Sequence, residues 1–337
     1  MNTVELAGTD LEISEVGFGG IPIIPLPENE AVSVIKHCFD LGITFFDTAN
    51  MYPTSEEKVG AALKSVREKV VIATKTTKRD GKEALTHIDL SLRQIKTDWI
   101  DIYQLHNVSN EEALEQVLAP QGAYDAARKA RAAGKIRFLG ISSHNIQTAI
   151  KAIETGLFQT LQFPFNFIEN DPANELFPLA RKNDVGIIGM KPLGGGLLER
   201  ADLCFGFLRQ HPYVVPIPGI RSKKEADEII GLYRDPKPLS KADLKEMENI
   251  RSILGENFCH RCEYCIPCDQ GVQIPSVLIF KSVAKRISRE GVKAWLGKPM
   301  ENVAKCIECG ECEEKCPYNL PIIDMLKENL ALFKAHT

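Results

Sequence analysis

Over its first two thirds the chain alternates unbroken apolar runs with amphipathic stretches. The runs are Val16–Gly20, Thr44–Ala49, Val70–Lys75, Ile100–His106, Ile136–Ser142, Leu161–Phe165, Val185–Met190 and Val214–Ile220, eight in all. They are apolar along their length rather than at every second position, the pattern of parallel strands buried on both faces. Between them apolar residues recur at helical spacing, as at Ala31, Val34, Ile35 and Cys38, and again at Leu85, Ile88, Leu92 and Ile95. Eight strand–helix units at about 30-residue spacing predict an α/β chain closed into a (β/α)8 TIM barrel, with an open doubly wound sheet as the alternative.

The flanks carry their own signals. Val4–Leu6 and Leu11–Ile13 bracket Ala7-Gly8-Thr9-Asp10, a hairpin placed to plug the bottom of a barrel. After the last unit, Asp235-Pro236-Lys237-Pro238 reads as a linker. A helix from Ser240 to Leu254 follows, with a capping serine, apolar Leu244, Met247, Ile250 and Leu254, and Gly255 as its stop. Ile322–Lys334 reads as a closing helix. The expected organisation is a barrel over 1–235, a linker and helix over 236–256, and a small, mostly helical domain over 257–337.

Composition narrows the partners. An apolar fraction of 44% and a charged fraction of 26% are those of a soluble globular protein. A formal charge of −4 argues against nucleic acid. No apolar stretch approaches the ~20 residues that span a bilayer, and Met1-Asn2-Thr3-Val4-Glu5 lacks the pattern of a signal peptide. A cytoplasmic protein that keeps away from membranes is expected. Of its ten cysteines, Cys38 and Cys204 sit in helix-like apolar surroundings and read as inert core; the other eight crowd between Cys259 and Cys316. In a reducing compartment such crowding means metal ligands rather than disulfides.

The second cysteine run, Cys306-x2-Cys309-x2-Cys312-x3-Cys316-Pro317, has the bacterial ferredoxin spacing, in which the fourth thiolate serves the other of two 4Fe–4S clusters. The first run, Cys259-x2-Cys262-x2-Cys265-x2-Cys268, is one residue shorter and has Asp269 where a proline is expected. The assignment is Cys259, Cys262, Cys265 and Cys316 for one cluster, and Cys306, Cys309, Cys312 and Cys268 for the other. Structural zinc is the alternative, but zinc knuckles contribute ligands in pairs and have no use for three thiols at successive x2 intervals plus Cys-Pro. His260, beside Cys259, is placed to tune a cluster or has no role, the second being the favoured reading.

The barrel runs end in polar residues that a barrel interior would not hold without cause. Asp47, Lys75 and His106 close the second, third and fourth runs, and Tyr52 follows the second; all four belong at the C-terminal mouth, where barrel enzymes keep their chemistry. A carbonyl that accepts hydride needs a proton at its oxygen. A phenol, with an ordinary pKa of about 10, supplies one only if a neighbouring ammonium favours its anion. Lys75 fits that role, Asp47 would keep Lys75 charged, and His106 would fix the carbonyl oxygen. The bland alternative is an ion pair at the rim with no chemistry.

Longer motifs agree. Gly42-Ile43-Thr44-Phe45-Phe46-Asp47-Thr48-Ala49-x-x-Tyr52 with Ser55-Glu56-Glu57-x-x-Gly60, Gly134 through Ser142, Gln162-x3-Asn166, Pro192-Leu193-x-x-Gly196 and Ile217-Pro218-Gly219 resemble, in order, the aldo-keto reductase superfamily. The whole chain resembles the branch of that superfamily with a C-terminal ferredoxin-type extension. The resemblance implies a (β/α)8 barrel, NADPH or NADH as cofactor, and a catalytic tetrad of Asp47, Tyr52, Lys75 and His106. It implies that Ser142, Ser143 and Gln162 hold the nicotinamide amide and that the pyrophosphate lies near Pro192, Leu193, Gly194 and Gly196. The segment from Ile217 to Glu228, with Gly219, Arg221, Ser222, Lys223 and Glu228, would hold the adenosine half. Met190 stands where many members stack a tyrosine on the nicotinamide, Glu225 where NADP users place an arginine, and Pro53 where glycine is common, so the choice between NADP and NAD stays open.

The leading expectation is an oxidoreductase passing hydride between NAD(P)H and a small aldehyde, ketone or alcohol. The alternatives are an electron-transfer protein, coupled to a ferredoxin and with or without a flavin, that uses the barrel as a docking scaffold, and a redox or oxygen sensor.

Overall fold

The computed structural model describes residues 1–337, the side chain of Glu256 excepted. Its strands are β1 (Thr3–Glu5), β2 (Glu12–Ser14), β3 (Phe18–Gly19), β4 (Phe45–Asp47), β5 (Val71–Thr76), β6 (Ile100–Leu105), β7 (Ile136–Ser142), β8 (Thr160–Pro164), β9 (Gly186–Met190) and β10 (Val214–Ile217). β3 to β10 form one parallel sheet in sequence order. Bonds from Gly17 N to Pro216 O (2.9 Å) and from Gly19 N to Pro218 O (2.7 Å) join its two ends, so the sheet is the expected barrel and not an open one. All eight apolar runs become strands. The first, Val16–Gly20, is the shortest in the structure, only Phe18–Gly19.

The hairpin β1–β2 plugs the barrel as its apolar residues predict: Leu6, Leu11 and Ile13 cluster with Phe45, Ile102 and Val215 from the strands. Gly8 makes the turn possible. Its φ is +69°, and a Cβ there would lie 2.2 Å from the carbonyl oxygen of Asp184. Cys38 and Cys204 are fully buried core residues, and burial pushes both thiols up to about 12.

The chain divides into two compact units, Met1–Pro192 with Arg200–Pro238, and Leu193–Glu199 with Leu239–Thr337. In the second, Ser240 caps the helix Lys241–Leu254 through a reciprocal capping box with Asp243, as the serine predicted. Gly255 does not end that helix by a left-handed turn; its φ is −57° and its N–H bonds to Arg251 O. The core of this unit is built by the helices Ile274–Leu278, Phe280–Ala284, Arg289–Asn302 and Ile322–His336, through Val277, Phe280, Val283, Leu296 and Leu326. No helix among the described residues is long and apolar enough to cross a membrane.

Candidate functional site

Parallel register sets the geometry of the barrel rim. Asp47, the last residue of β4, lies opposite Ala73, so Lys75, two residues further along β5, projects to the same end. Lys75 in turn faces Gln104 of β6. The Lys75 Nζ donates to Asp47 Oδ1 at 2.5 Å and to the carbonyl of Thr48 at 2.7 Å, and Gln104 Nε2 donates to Asp47 Oδ2 at 3.3 Å. Lys75 is 0% exposed and Asp47 3%. Burial pushes the Asp47 carboxyl up and the Lys75 ammonium down, and the ion pair opposes both shifts.

Tyr52 and His106 complete the group. The Lys75 Nζ lies 5.5 Å from the centre of the Tyr52 ring, and the Tyr52 and His106 rings meet edge to face at 5.8 Å. Arg79 holds the backbone here, donating to His106 O at 2.9 Å and Asn107 O at 2.8 Å. The four residues chosen from the strand ends therefore stand together.

Glu56 was not foreseen as part of this site. It is only 2% exposed, accepts from Thr74 Oγ1 at 2.5 Å and from Asn50 Nδ2 at 3.2 Å, and feels the charge of Lys75. Burial raises its carboxyl. In sequence it looks like an acidic residue in a first helical turn, a common solvated position; the only hint was its place in the Ser55-Glu56-Glu57 motif.

The residues expected at the cofactor divide into several sets. Gln162 lies beside Ser142 across β7 and β8. It hydrogen-bonds the Asp47 carboxyl, while its own Oε1 is buried without a partner among the described residues. An orphaned acceptor at a strand end suits the N–H of a carboxamide. The Ser142 hydroxyl accepts from Asn107 N at 2.9 Å. Ser143 is turned to a local task, accepting from Asn145 N at 3.1 Å at the start of the helix Ile146–Glu154. Asn166 bonds Glu169 and the carbonyl of Lys191, bracing the loop after β9. Met190 ends β9 half-buried, against the barrel core.

Gly219 packs on Pro22 and pairs with Gly19. Ser222 caps the helix Lys223–Arg234, with Glu225 N donating to its hydroxyl at 3.2 Å, and Glu225 Oε2 accepts from Arg221 N at 2.6 Å. A carboxylate thus sits at this helix start, and Arg221, Lys223 and Glu228 are exposed around it. Pro192 ends the first unit's long segment, and Leu193, Gly194 and Gly196 group with the second unit.

The eight clustered cysteines line two cavities. Cys259, Cys262, Cys265 and Cys316 line one, together with Pro317, Leu320 and Ile322. Cys268, Cys306, Cys309 and Cys312 line the other with Val272 and Leu326, and Cys265 stands at the edge of both. Cys316 lines the cavity of Cys259, Cys262 and Cys265, and Cys268 that of Cys306, Cys309 and Cys312, with Cys265 lining both. Burial raises the Cys262 thiol and pushes Cys265 up to about 12 and Cys312 up to about 11. His260 stacks on Tyr318 with ring centres 3.6 Å apart, a packing role. Phe18 and Phe167 are fully buried, and Trp99 packs under the Arg67 guanidinium at 4.4 Å.

Comparison with known proteins agrees with this geometry. Residues 15–204 match the aldo/keto reductase family and residues 258–321 match the 4Fe-4S dicluster domain. An uncharacterized oxidoreductase of Bacillus subtilis, YqkF, is 29% identical over 217 residues, 60% of this chain and 68% of its own length. A probable aldo-keto reductase of Glycine max is 30% identical over 212 residues, 57% of this chain and 60% of its own. Among solved structures, the holo form of an aldo-keto reductase from Bacillus halodurans superposes with a TM-score of 0.65 at 22% identity, over 74% of this chain and 96% of that one. An aldo-keto reductase from Klebsiella pneumoniae in complex with NADPH does so with a TM-score of 0.63 at 22% identity, over 74% and 94%. The chain is an oxidoreductase of the aldo/keto reductase family that carries a C-terminal 4Fe-4S dicluster domain.

Proposed function

We propose that the barrel reduces a small aldehyde or ketone, or oxidises the corresponding alcohol, with a nicotinamide dinucleotide, and that Tyr52 exchanges the proton at the substrate oxygen. The observation that carries this reading is the buried Asp47–Lys75 pair with the Lys75 ammonium 5.5 Å from the Tyr52 ring. When bound, a reduced nicotinamide would supply the hydride that the carbonyl carbon accepts. The negative charge that develops on oxygen is met by the phenolic proton of Tyr52, whose departure the Lys75 ammonium favours. Asp47 keeps that ammonium charged in a site where burial alone would neutralise it. His106 stands at the ring edge of Tyr52, where it orients the carbonyl oxygen. The orphaned Gln162 Oε1 suits the carboxamide of the cofactor.

Aldo-keto reductases of similar fold are known with NADPH. Here the Glu225 carboxylate on Arg221 N favours the 2′-hydroxyl of NADH over the 2′-phosphate of NADPH, since like charges repel at a helix start. The two thiol sets suit two 4Fe–4S clusters: eight cysteines line two cavities with apolar walls, Cys265 shared between them, and the spacing of the second run is that of ferredoxins. Clusters of this kind pass single electrons, whereas a hydride carries two together, so they stand outside the reduction step.

Tyr52→Phe tests the assignment. Turnover is expected to fall about 10²- to 10⁴-fold, the usual worth of a positioned acid, with dinucleotide affinity unchanged. Undiminished turnover in the variant would show that the proton comes from elsewhere.

A further inference from the structure

Glu56, on the helix Ser55–Leu63, is a buried ionisable group beside the rim that the reduction step above leaves unused. Its hydrogen-bond partners are neutral side chains, and all of them can donate. Thr74 Oγ1 donates to Oε1 at 2.5 Å, Asn50 Nδ2 donates to Oε2 at 3.2 Å, and the Ser91 hydroxyl bonds the same carboxyl. A carboxylate accepts at both of its oxygens, whereas a glutamine would accept at one end and donate at the other. With an amide donor on one side and a hydroxyl on the other, the position suits an anion. Burial disfavours that anion, so it is held at a cost in stability. A buried carboxylate kept on such terms points to a task in the working site.

The task is visible in what Glu56 joins. Asn50 lies in the loop that follows β4, two residues before Tyr52. Its backbone N–H donates to the carbonyl of Lys75 at 3.0 Å, while its side-chain amide donates to Glu56 and, at 3.3 Å, to Ser91 Oγ. Thr74, the other partner of Glu56, is the residue before Lys75 on β5. Glu56 thus ties the Tyr52 loop to the strand that carries Lys75. Beyond Asn50 the loop closes through turn bonds, from Tyr52 N to Ala49 O at 2.9 Å and from Ser55 N to Tyr52 O at 3.1 Å. Ser55 pins its far end, accepting from Thr48 Oγ1 at 2.8 Å and donating to Gly20 O at 3.0 Å. Together these bonds set the Tyr52 backbone relative to β5, and with it the 5.5 Å between the Lys75 ammonium and the phenol ring. A shift of about 1 Å in a reacting group is enough to slow chemistry severely.

We propose that Glu56, acting through Asn50, is a positioning residue that holds the Tyr52 loop against the end of β5, so that the phenol stands beside the Lys75 ammonium. This rests on the reading of Tyr52 as the acid given above. The charge of Glu56 also favours the Lys75 ammonium, a smaller contribution than that of Asp47, which bonds the ammonium directly.

The test uses the full-length holoprotein, with 4-nitrobenzaldehyde and butanal as carbonyls and NADH and NADPH as hydride donors. The wild type is compared with Glu56→Gln, Tyr52→Phe and the double variant Glu56→Gln/Asn50→Asp. The double variant keeps one negative charge and exchanges donor for acceptor, so the introduced amide can donate to the introduced carboxylate. Glu56→Gln is expected to lower kcat about 5- to 10-fold, the worth of one buried hydrogen bond, with KM and dinucleotide affinity unchanged. Its solvent deuterium isotope effect on kcat should rise, because proton transfer from a displaced phenol becomes the slower step. The double variant should recover most of the lost turnover. A glutamate that merely packs would change the urea midpoint and leave kcat and the isotope effect at wild-type values. That result, or a double variant no faster than Glu56→Gln, overturns the proposal. Should Glu56→Gln fail to fold, Asn50→Ala decides, since it removes the same bond and leaves the carboxylate to Thr74: a comparable fall in kcat supports the proposal, and an unchanged kcat refutes it. Undiminished turnover in Tyr52→Phe, or a wild type that oxidises neither dinucleotide with either aldehyde, overturns the reading of Tyr52 as the acid, and this inference with it.

Discussion

The barrel rim and the cysteine cavities keep polar groups out of water in opposite ways. At the rim every buried charge already has a protein partner. Lys75 faces Asp47 and the carbonyl of Thr48, Asp47 also accepts from Gln104, and Glu56 accepts from Thr74 and Asn50. The cavities are lined by the thiols together with apolar side chains, and burial raises Cys262, Cys265 and Cys312. The rim pairs its own charges within the chain; the cysteine sets are the ones proposed above to hold iron–sulfur clusters. Changes at the rim should therefore act through charge balance, and changes at the cysteines through cluster content.

Cys316→Ala offers the largest effect. If Cys316 serves the cavity of Cys259, Cys262 and Cys265, the variant loses that cluster and keeps the one held by Cys306, Cys309, Cys312 and Cys268. Iron content should fall from about eight atoms per chain to about four, with Cys268→Ala stripping the opposite cluster. Iron analysis with electron paramagnetic resonance on the reduced protein distinguishes the two. Identical spectra from the two variants would break the assignment of fourth ligands.

At the rim, Lys75→Met leaves the Asp47 carboxylate buried and unpaired. Unfolding of the barrel in urea should lose about 3–5 kcal/mol, and adding Asp47→Leu should restore most of it, since a buried pair replaced whole by apolar groups is close to neutral. A single variant as stable as the wild type would show that Asp47 is not held as an anion.

Glu56 makes the smallest change and sharpens the comparison through pH. Its carboxyl is raised in the folded protein, so the stability tied to its neutral form is present below the unfolded-state value and lost as pH rises through the folded one. Urea titrations at several pH values, read from Trp99 emission in a Trp295→Phe background, should show wild-type stability declining relative to Glu56→Gln as pH rises above 4.5, the ordinary value for this group. Parallel profiles would mean that the hydrogen bonds from Thr74 and Asn50 fully offset its burial.

How much of this was legible in the sequence depended on the range of the interaction. The strands were readable because burial on both faces writes itself as continuous apolar runs, and the grouping of Asp47, Lys75 and His106 at one rim because each closes such a run. The clustering of the cysteines was readable from their spacing, and all eight line the two cavities. Glu56 was hidden because its partner Thr74 lies on a strand that follows it and not on its own helix. Ser143 was expected at the cofactor, yet its hydroxyl serves the Asn145 turn, a local bond that a serine two residues before an N-cap asparagine could have signalled. The loop at Gly194–Gly196 was legible from its glycines; the tie of Gly195 to Ser282, 87 positions away, was not.

The account's central claim is that the barrel completes its chemistry with Tyr52 and without electrons from the clusters. Anaerobic mixing of the holoprotein with NADH or NADPH and an aldehyde, following nicotinamide and cluster absorption together, tests it most directly. The predicted result is nicotinamide oxidation that requires the aldehyde, vanishes in Tyr52→Phe, and leaves the cluster absorption unchanged. Bleaching of the clusters by the dinucleotide alone, equal in the wild type and in Tyr52→Phe, would contradict it and show that the chain works as an electron-transfer protein.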